Sequence, residues 1–201
     1  MTTAGDHTEN QILAAAREVF IVKGFEGARM QEIADRAEIN KALLHYYFRS
    51  KENLFDAVFS EVASHLFPAV RQLLESDLSI KEKIALFVKI YLKALQENPY
   101  IPAFVINTLN TNPERFLKYI RQSGINPMLL QEQIDHEVSG KLIREIKAEH
   151  LLVNTLAMCL FPFVARPIIQ NIFSMKDEEY QAYLESRQTE IIDFVLKSIS
   201  V

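Results

Sequence analysis

The segment Asn40-Lys41-Ala42-Leu43-Leu44-His45-Tyr46-Tyr47-Phe48-Arg49-Ser50-Lys51 holds three cations, a histidine and two tyrosines, and no acid. Those are residue types that meet a polyanion. Cations neutralise phosphate charge, phenols donate to phosphate oxygens, and imidazole donates to or accepts from a base edge. On a helix, Leu44 and Phe48 share one face, while Lys41, Ala42, His45 and Tyr46 share the other side. Lys41 and Lys51 sit near helix N-termini, where a phosphate also meets free amides and the positive end of the dipole. Ala42 and Leu43 are apolar where base edges would lie, and Leu43 can pack on a thymine methyl. Leu43 and Tyr47 have a second reading, in which they complete a small core.

The rest of the chain makes such a patch a local feature. The 201 residues carry a formal charge of −4, with 49% hydrophobic and 24% charged residues. That composition supports a packed core rather than disorder. The acidic balance argues against a uniformly basic nucleic-acid coat and against a polybasic membrane binder. Any contact with DNA must therefore come from one short stretch.

Other chemistries find no support. Cys159 is the only cysteine, so neither an intrachain disulfide nor a cysteine-built metal site is available. No Gly-x-Ser-x-Gly, His-Glu-x-x-His, phosphate loop or dinucleotide fingerprint occurs, so no enzyme, cofactor or metal is expected. His7 is near the terminus, His65 faces Glu61 one turn back, and His136 lies between Asp135 and Glu137, whose side chains fall on different helix faces.

The elements that must position the patch are helices. Only five glycines are present and every proline lies between Pro68 and Pro167, which leaves little room for the tight turns of an all-β fold. Thr8-Glu9-Asn10-Gln11 fits a capping box, followed by Ile12, Ala16, Val19 and Phe20 at helical spacing and by Lys23-Gly24 as a stop. A short helix spans about Met30 to Ala37, with Ile33, Ala34 and Ala37 facing inward. Asn40 caps the third helix and Ser50 the fourth. The second and third helices are joined by about three residues, the helix-turn-helix arrangement whose second helix enters the major groove. Such short helix pairs also occur in ordinary bundles.

Further on, Ser79-Ile80-Lys81-Glu82 is another capping box, opening a helix to about Glu97. Asn98-Pro99, Asn112-Pro113 and Asn126-Pro127 each place a capping residue before a proline suited to a first turn. The last long segments run over about 148–173, interrupted by Pro162 and Pro167, and over about 178–199.

The N-terminal segment resembles the DNA-binding domain of the tetracycline-repressor (TetR) family of bacterial regulators. The resemblance covers about Ile12 to Phe59. It rests on Phe20 with Lys23-Gly24-Phe25-Glu26-Gly27, on Ile33-Ala34, and on Leu44-His45-Tyr46-Tyr47-Phe48 followed by Ser50-Lys51-Glu52-Asn53-Leu54-Phe55. Two positions depart from the family pattern. Glu38 stands in the turn where Gly is common, and Arg29 stands where a Thr or Ser commonly caps the second helix. Arg29 cannot cap as a hydroxyl does, but it can reach a phosphate.

The resemblance implies an all-α protein. A helix-turn-helix domain spans residues 8–55, and a helical effector-binding and dimerisation domain spans 56–201. It implies DNA contact through Arg29, Gln31, Lys41, Ala42, Leu43, His45, Tyr46, Tyr47 and Lys51, with the two tyrosines donating to backbone oxygens. It also implies an apolar pocket for a small effector in the region of Phe67, Phe87, Tyr91, Phe104, Asn107, Phe116 and Met128, although aromatic stripes also build ordinary cores. The expected partners are a palindromic double-stranded operator, an effector, and a second copy joined through about 148–173 and 178–199. Arg166 stands in apolar surroundings, where it either holds an acidic ligand or, preferably, pairs with a carboxylate across the dimer.

These features together read as a regulator, specifically a repressor released from its operator by a ligand acting through the fourth helix. The rival is a helical carrier or interaction module without DNA binding, and salt-dependent duplex binding separates the two. The start MTTAGDHTENQ has neither a basic nor an apolar stretch, so no signal peptide is expected. Leu151–Ile169 is long and apolar, yet it contains Asn154, Thr155, Pro162, Arg166 and Pro167 and reads as a buried helix pair. The expectation is a soluble cytoplasmic protein with no membrane partner.

Overall fold

The computed structural model describes the backbone of residues 4–201 and the side chains of 7–201, apart from those of Phe104, Thr111 and Arg115. Eleven helices follow one another among these residues, with no strand. They form two compact units. One contains the chain up to His65 together with Asn98–Asn112, and the other contains Leu66–Glu97 and Pro113–Val201. The sequence reading places a boundary at 55/56. The compact units instead divide ten residues later inside the same helix, and 98–112 joins the first unit.

The first unit is built on α1 (Ala4–Gly27), α2 (Met30–Arg36), α3 (Lys41–Tyr47), the first part of α4 (Lys51–Glu75) and α6 (Ile101–Thr111). Ile12, Ala16, Val19 and Phe20 on α1 are buried with Ile33 and Ala34 on α2, Leu44 on α3, and Leu54, Phe55 and Val58 on α4. On α1 and α4 these positions recur at three- and four-residue spacing, so each of those helices turns an apolar stripe to the core that Ile33, Ala34 and Leu44 join. Gly24 breaks the regular helix with φ 67° and ψ 177°. A Cβ there would touch nothing within 4 Å, so the backbone conformation rather than space requires glycine. Half-buried Phe25 follows the break, and its ring meets the buried Phe55 edge-on at 5.4 Å.

The expected capping box at Thr8 does not form. α1 begins earlier, at Ala4, and Gln11 uses its side-chain amide to donate to the Ala37 carbonyl at 2.9 Å. That bond ties α1 to the end of α2, an interaction that no local pattern announces. Asn98-Pro99 also departs from expectation. α6 starts at Ile101, and Asn98 Oδ1 accepts the Tyr100 hydroxyl at 3.1 Å instead of capping the first turn.

Tyr100 is buried in the first unit, with its ring 5.8 Å from Phe55 and 6.2 Å from Phe20. Arg17 on α1 pairs with Glu61 on α4 and also takes a hydrogen bond with the Tyr100 phenol, interactions that raise its pKa against the effect of burial. Glu61 thus spends its carboxylate on Arg17, and His65 Nδ1 instead donates to the Glu61 carbonyl at 2.8 Å.

The second unit packs α5 (Ile80–Glu97) against α8 (Met128–Ser139), α9 (Ala148–Val164) and α11 (Asp177–Ile199), with the rest of α4, α7 (Pro113–Ser123) and α10 (Arg166–Ile172) completing it. Its core joins Ile84, Val88 and Leu92 of α5 with Ile134, Leu151, Cys159, Ile191 and Val195. The Ser79–Glu82 box forms as expected. Glu82 N donates to Ser79 Oγ at 3.3 Å, and the Ser79 hydroxyl at 2.7 Å and amide at 2.9 Å both donate to Glu82 Oε2, which holds that carboxyl below its ordinary pKa.

A buried polar network sits beside this box. Glu137 Oε1 accepts from Ile80 N at 2.8 Å and from Gln133 Nε2 at 2.9 Å. Gln133 Oε1 accepts Lys83 Nζ at 2.6 Å, and that ammonium also donates to the Leu74 carbonyl at 2.8 Å. Desolvation lowers the Lys83 pKa, although Glu137 and Asp77 pull it the other way. Each buried group is satisfied, which is what makes their burial tolerable.

Among the described residues no single helix is long and apolar enough to cross a membrane. α9 and α10 pass such a test only together, and they are bent by 74° at their junction. Pro162 is tolerated near the end of α9, and Pro167 lies in the first turn of α10, which takes the break between them.

Candidate nucleic-acid interface

α3 is positioned by three local devices. Asn40 Oδ1 accepts Leu43 N at 2.8 Å and caps its first turn. Leu44 and Phe48 are buried and dock the helix on the core. Four residues join α2 to α3, and Glu38 among them adopts φ 53°, the left-handed conformation that glycine meets without strain. The turn accommodates a side chain there by straining the backbone.

The outward side of α3 is exposed at Lys41, Ala42, Leu43, His45 and Tyr46. Tyr46 is 81% exposed and its ring meets Tyr47 edge-on at 5.6 Å. Tyr47 is half-buried, whereas Leu43 remains exposed, so the core reading fits Tyr47 in part and Leu43 not at all. Among the described residues the side chains of Lys41 and Arg29 make no hydrogen bond or ion pair, so both cations are available to an incoming anion. Arg29 precedes α2 in an extended conformation and makes no side-chain cap. Gln31 is exposed and its amide donates to Asp35 Oδ1 at 2.7 Å.

Lys51 has a second role. Its ammonium lies 4.5 Å from the centre of the Phe25 ring and donates to the carbonyls of Glu26 at 3.3 Å and Ala28 at 3.4 Å. It therefore fastens the start of α4 to the segment after Gly24. Sequence reasoning missed this, because the carbonyls are more than twenty residues away. It also missed Arg49, whose carbonyl oxygen lies 3.3 Å from His45 Nδ1.

The residues expected around an effector separate between the units. Phe87 and Tyr91 stack in the second unit with ring centres 5.4 Å apart, and burial pushes the Tyr91 phenol up to about 12. Phe67 and Phe116 are half-buried there, and Met128 is 62% exposed. Asn107 is exposed and belongs to the first unit, and the Phe104 side chain lies outside the described residues. Arg166 pairs within its own chain: its Nη2 donates to Asp177 Oδ1 at 2.9 Å, its Nε donates to Gln170 at 3.1 Å, and its guanidinium lies 5.3 Å from the centre of the Tyr180 ring. Within the chain, Asp177 is therefore the carboxylate partner of Arg166.

No group of three or more His, Cys, Asp or Glu among the described residues is arranged to hold a metal ion. Cys159 is buried, and desolvation pushes its thiol up to about 12, far from a reactive thiolate.

The fold and this site define a helix-turn-helix protein whose chain also builds a second, larger helical unit. Residues 12–58, about a quarter of the chain, match the model of the bacterial regulatory proteins of the tetR family. It is 33% identical over 93 residues to the HTH-type transcriptional activator FasR of Mycolicibacterium smegmatis, covering 46% of this chain and 42% of that protein. It is 42% identical over 57 residues to the HTH-type transcriptional repressor NicS of Pseudomonas putida, covering 28% of this chain and 27% of that one. The chain thus spans less than half the length of these two curated relatives. Among solved structures, the tetR-family regulator PfmR of Thermus thermophilus superposes with a TM-score of 0.65 at 22% identity over 90% of this chain and 97% of that one. HlyIIR, a hemolysin II transcriptional regulator, gives 0.60 at 22% identity over 94% and 96%. At these identities the structural likeness extends the family fold over the C-terminal helices and says nothing about what they bind.

Proposed function

We propose that this protein is a DNA-binding transcriptional regulator that reads a palindromic operator as a homodimer. Residues 8–55 act as its reading head, and residues 56–201 serve effector binding and dimerisation. The observation that carries this reading is the outward side of α3, which is capped by Asn40 and docked by Leu44 and Phe48. It presents Lys41, Ala42, His45 and Tyr46 with no acid among them, on a chain of net charge −4. Arg29, Gln31, Leu43, Tyr47 and Lys51 complete the proposed contact set. An exposed cationic and phenolic helix side after a short turn suits the phosphates and base edges of a major groove.

Dimerisation is supported by apolar surface that this chain leaves uncovered. Val153 is 60% and Phe161 62% exposed on α9, and Ile172 is 68% and Phe173 66% exposed around the end of α10. Large apolar side chains left this exposed on α9 and around the end of α10 suit association with a second copy. A two-fold dimer through them presents two heads to two half-sites.

Of the two signs of regulation, repression needs only occupancy of a promoter, and a small effector would relieve it. α4 belongs to both compact units. A ligand that prefers one setting of α4 changes the spacing of the two heads, and a coupling of about 1–3 kcal/mol alters affinity about 5–150-fold. Selection of bound sequences from random duplex DNA tests the core of the proposal. A palindromic consensus bound with a steep salt dependence is the expected result, and weak, sequence-independent binding overturns it. Compounds that raise thermal stability are then added to the operator complex. Release supports the effector reading, and unchanged operator affinity rejects it.

A further inference from the structure

His45 lies on the exposed side of α3, one turn after Lys41 and Ala42. Its Nδ1 is 3.3 Å from the carbonyl oxygen of Arg49, the second residue after the end of the helix. A carbonyl oxygen only accepts, so the bond requires the hydrogen on Nδ1. The neutral ring then carries no hydrogen on Nε2 and presents a lone pair there. The other polar side chains on this helix side, the ammonium of Lys41 and the phenol of Tyr46, bring hydrogens to the interface. The Tyr46 phenol can also turn its oxygen to accept, whereas His45 is the group that its bond to the Arg49 carbonyl fixes as an acceptor at Nε2.

In the major groove that distinction has a fixed meaning. Guanine offers acceptors at N7 and O6, and thymine offers one at O4. Only the amines of adenine N6 and cytosine N4 donate. We propose that His45 reads the operator as a hydrogen-bond acceptor, taking the exocyclic amine of an adenine or a cytosine, and that its bond to the Arg49 carbonyl sets this choice. The proposal rests on α3 being the reading helix. Against guanine or thymine the Nε2 lone pair faces another lone pair, and both lose their water without gaining a bond. One such bond is worth about 3–10-fold in affinity at each half-site. Ala42 beside it has only a methyl group, which leaves room for the base edge and suits a neighbouring thymine methyl.

The experiment is selection from random duplex DNA with the wild-type chain, His45→Lys and His45→Gln. The wild type is expected to enrich A or C at one position of the half-site. His45→Lys, which only donates, is expected to enrich G or T at that same position, and His45→Gln, which does both, to favour A. All other positions stay as they were. An unchanged preference in both variants overturns the proposal, as does G or T enriched by the wild type at the position that responds.

A second arm leaves the protein untouched. Where the wild type selects adenine, that base is replaced by purine lacking the 6-amino group. Wild-type affinity is expected to fall about 3–10-fold while that of His45→Ala does not change, and equal losses in the two proteins overturn the assignment. If the wild type enriches no sequence, the reading of α3 as a DNA-recognition helix fails, an outcome distinct from a consensus insensitive to residue 45.

Discussion

Asn40 Oδ1 and the Leu43 amide are joined at 2.8 Å, and this single bond fixes the first turn of the helix that carries Lys41, Ala42, Leu43, His45 and Tyr46 of the proposed reading surface. Asn40→Ala removes it and exposes an orphan amide, at a cost of about 1 kcal/mol in unfolding free energy. Asn40→Asp keeps the cap and adds a negative charge beside Lys41. Urea unfolding should therefore separate the two variants, with Ala destabilised and Asp close to wild type. Duplex binding should weaken in both.

Glu38 offers the reverse case. At φ 53° it occupies a conformation that costs a side-chain-bearing residue roughly 1 kcal/mol or more. Glu38→Gly relieves the strain but gives the unfolded chain more freedom, so the expected net gain is about 0.5 kcal/mol. It also removes an acid from the turn before α3. Unfolding midpoints should rise and duplex affinity should increase. A lower midpoint would mean that the Glu38 side chain stabilises the turn by more than its backbone costs.

Lys41 is exposed and its side chain makes no bond to any described residue, so truncating that side chain should leave folding unchanged. Lys41→Ala is expected to weaken binding to every duplex sequence and to reduce the slope of log affinity against log salt by about 1. Substitution of Leu43 should alter which bases are preferred and leave the slope as it was. Titrations at several salt concentrations read both, and an unaltered slope for Lys41→Ala would remove this residue from the phosphate contacts.

Phe161 is 62% exposed on α9, in the apolar surface proposed to join two copies. Phe161→Glu places a charge there without disturbing the buried side of the helix. Sedimentation should show a monomer with helical content unchanged. Operator affinity should fall by at least about 100-fold, because the two half-sites are no longer bound by one particle. A variant that remains dimeric would place the association surface elsewhere.

The parts of this molecule legible in its sequence are those encoded within one turn of helix. Asn40, Ser50 and the Ser79–Glu82 pair all cap the helices that they precede, and Leu44 and Phe48 face inward by spacing alone. Illegible were contacts whose partners lie far along the chain. Gln11 looks like the second half of a capping box, yet it bonds the carbonyl of Ala37 twenty-six residues on. Glu137 looks like a surface acid beside His136 and proves to cap Ile80 across fifty-seven positions. The stretch 98–112 joins the first unit because Tyr100 packs among Phe20, Phe55 and Arg17, a three-sided arrangement with no local signature. The proposed site followed the same rule. The exposed side of α3 could be read from spacing, whereas the use of Lys51 on Phe25 and of His45 Nδ1 on Arg49 required the folded chain.

Tyr91 sets a limit on alkaline stability. Burial pushes its phenol from an ordinary 10.0 to about 12, and the neighbouring Cys159 thiol rises from 9.0 to about 12 for the same reason. The folded state therefore holds both protons more tightly than the unfolded chain does. The resulting stability is complete below the unfolded values and is lost as the pH climbs through about 12. Tyr91→Phe keeps an aromatic ring to stack on Phe87 and removes one of these two groups. Its alkaline unfolding midpoint, followed by far-ultraviolet circular dichroism, should move upward by roughly half a pH unit or less, because Cys159 and the similarly raised Tyr100 still titrate. Stability at neutral pH should stay close to wild type. A midpoint that falls instead would show that the Tyr91 hydroxyl stabilises the fold through a bond worth more than the cost of keeping it protonated.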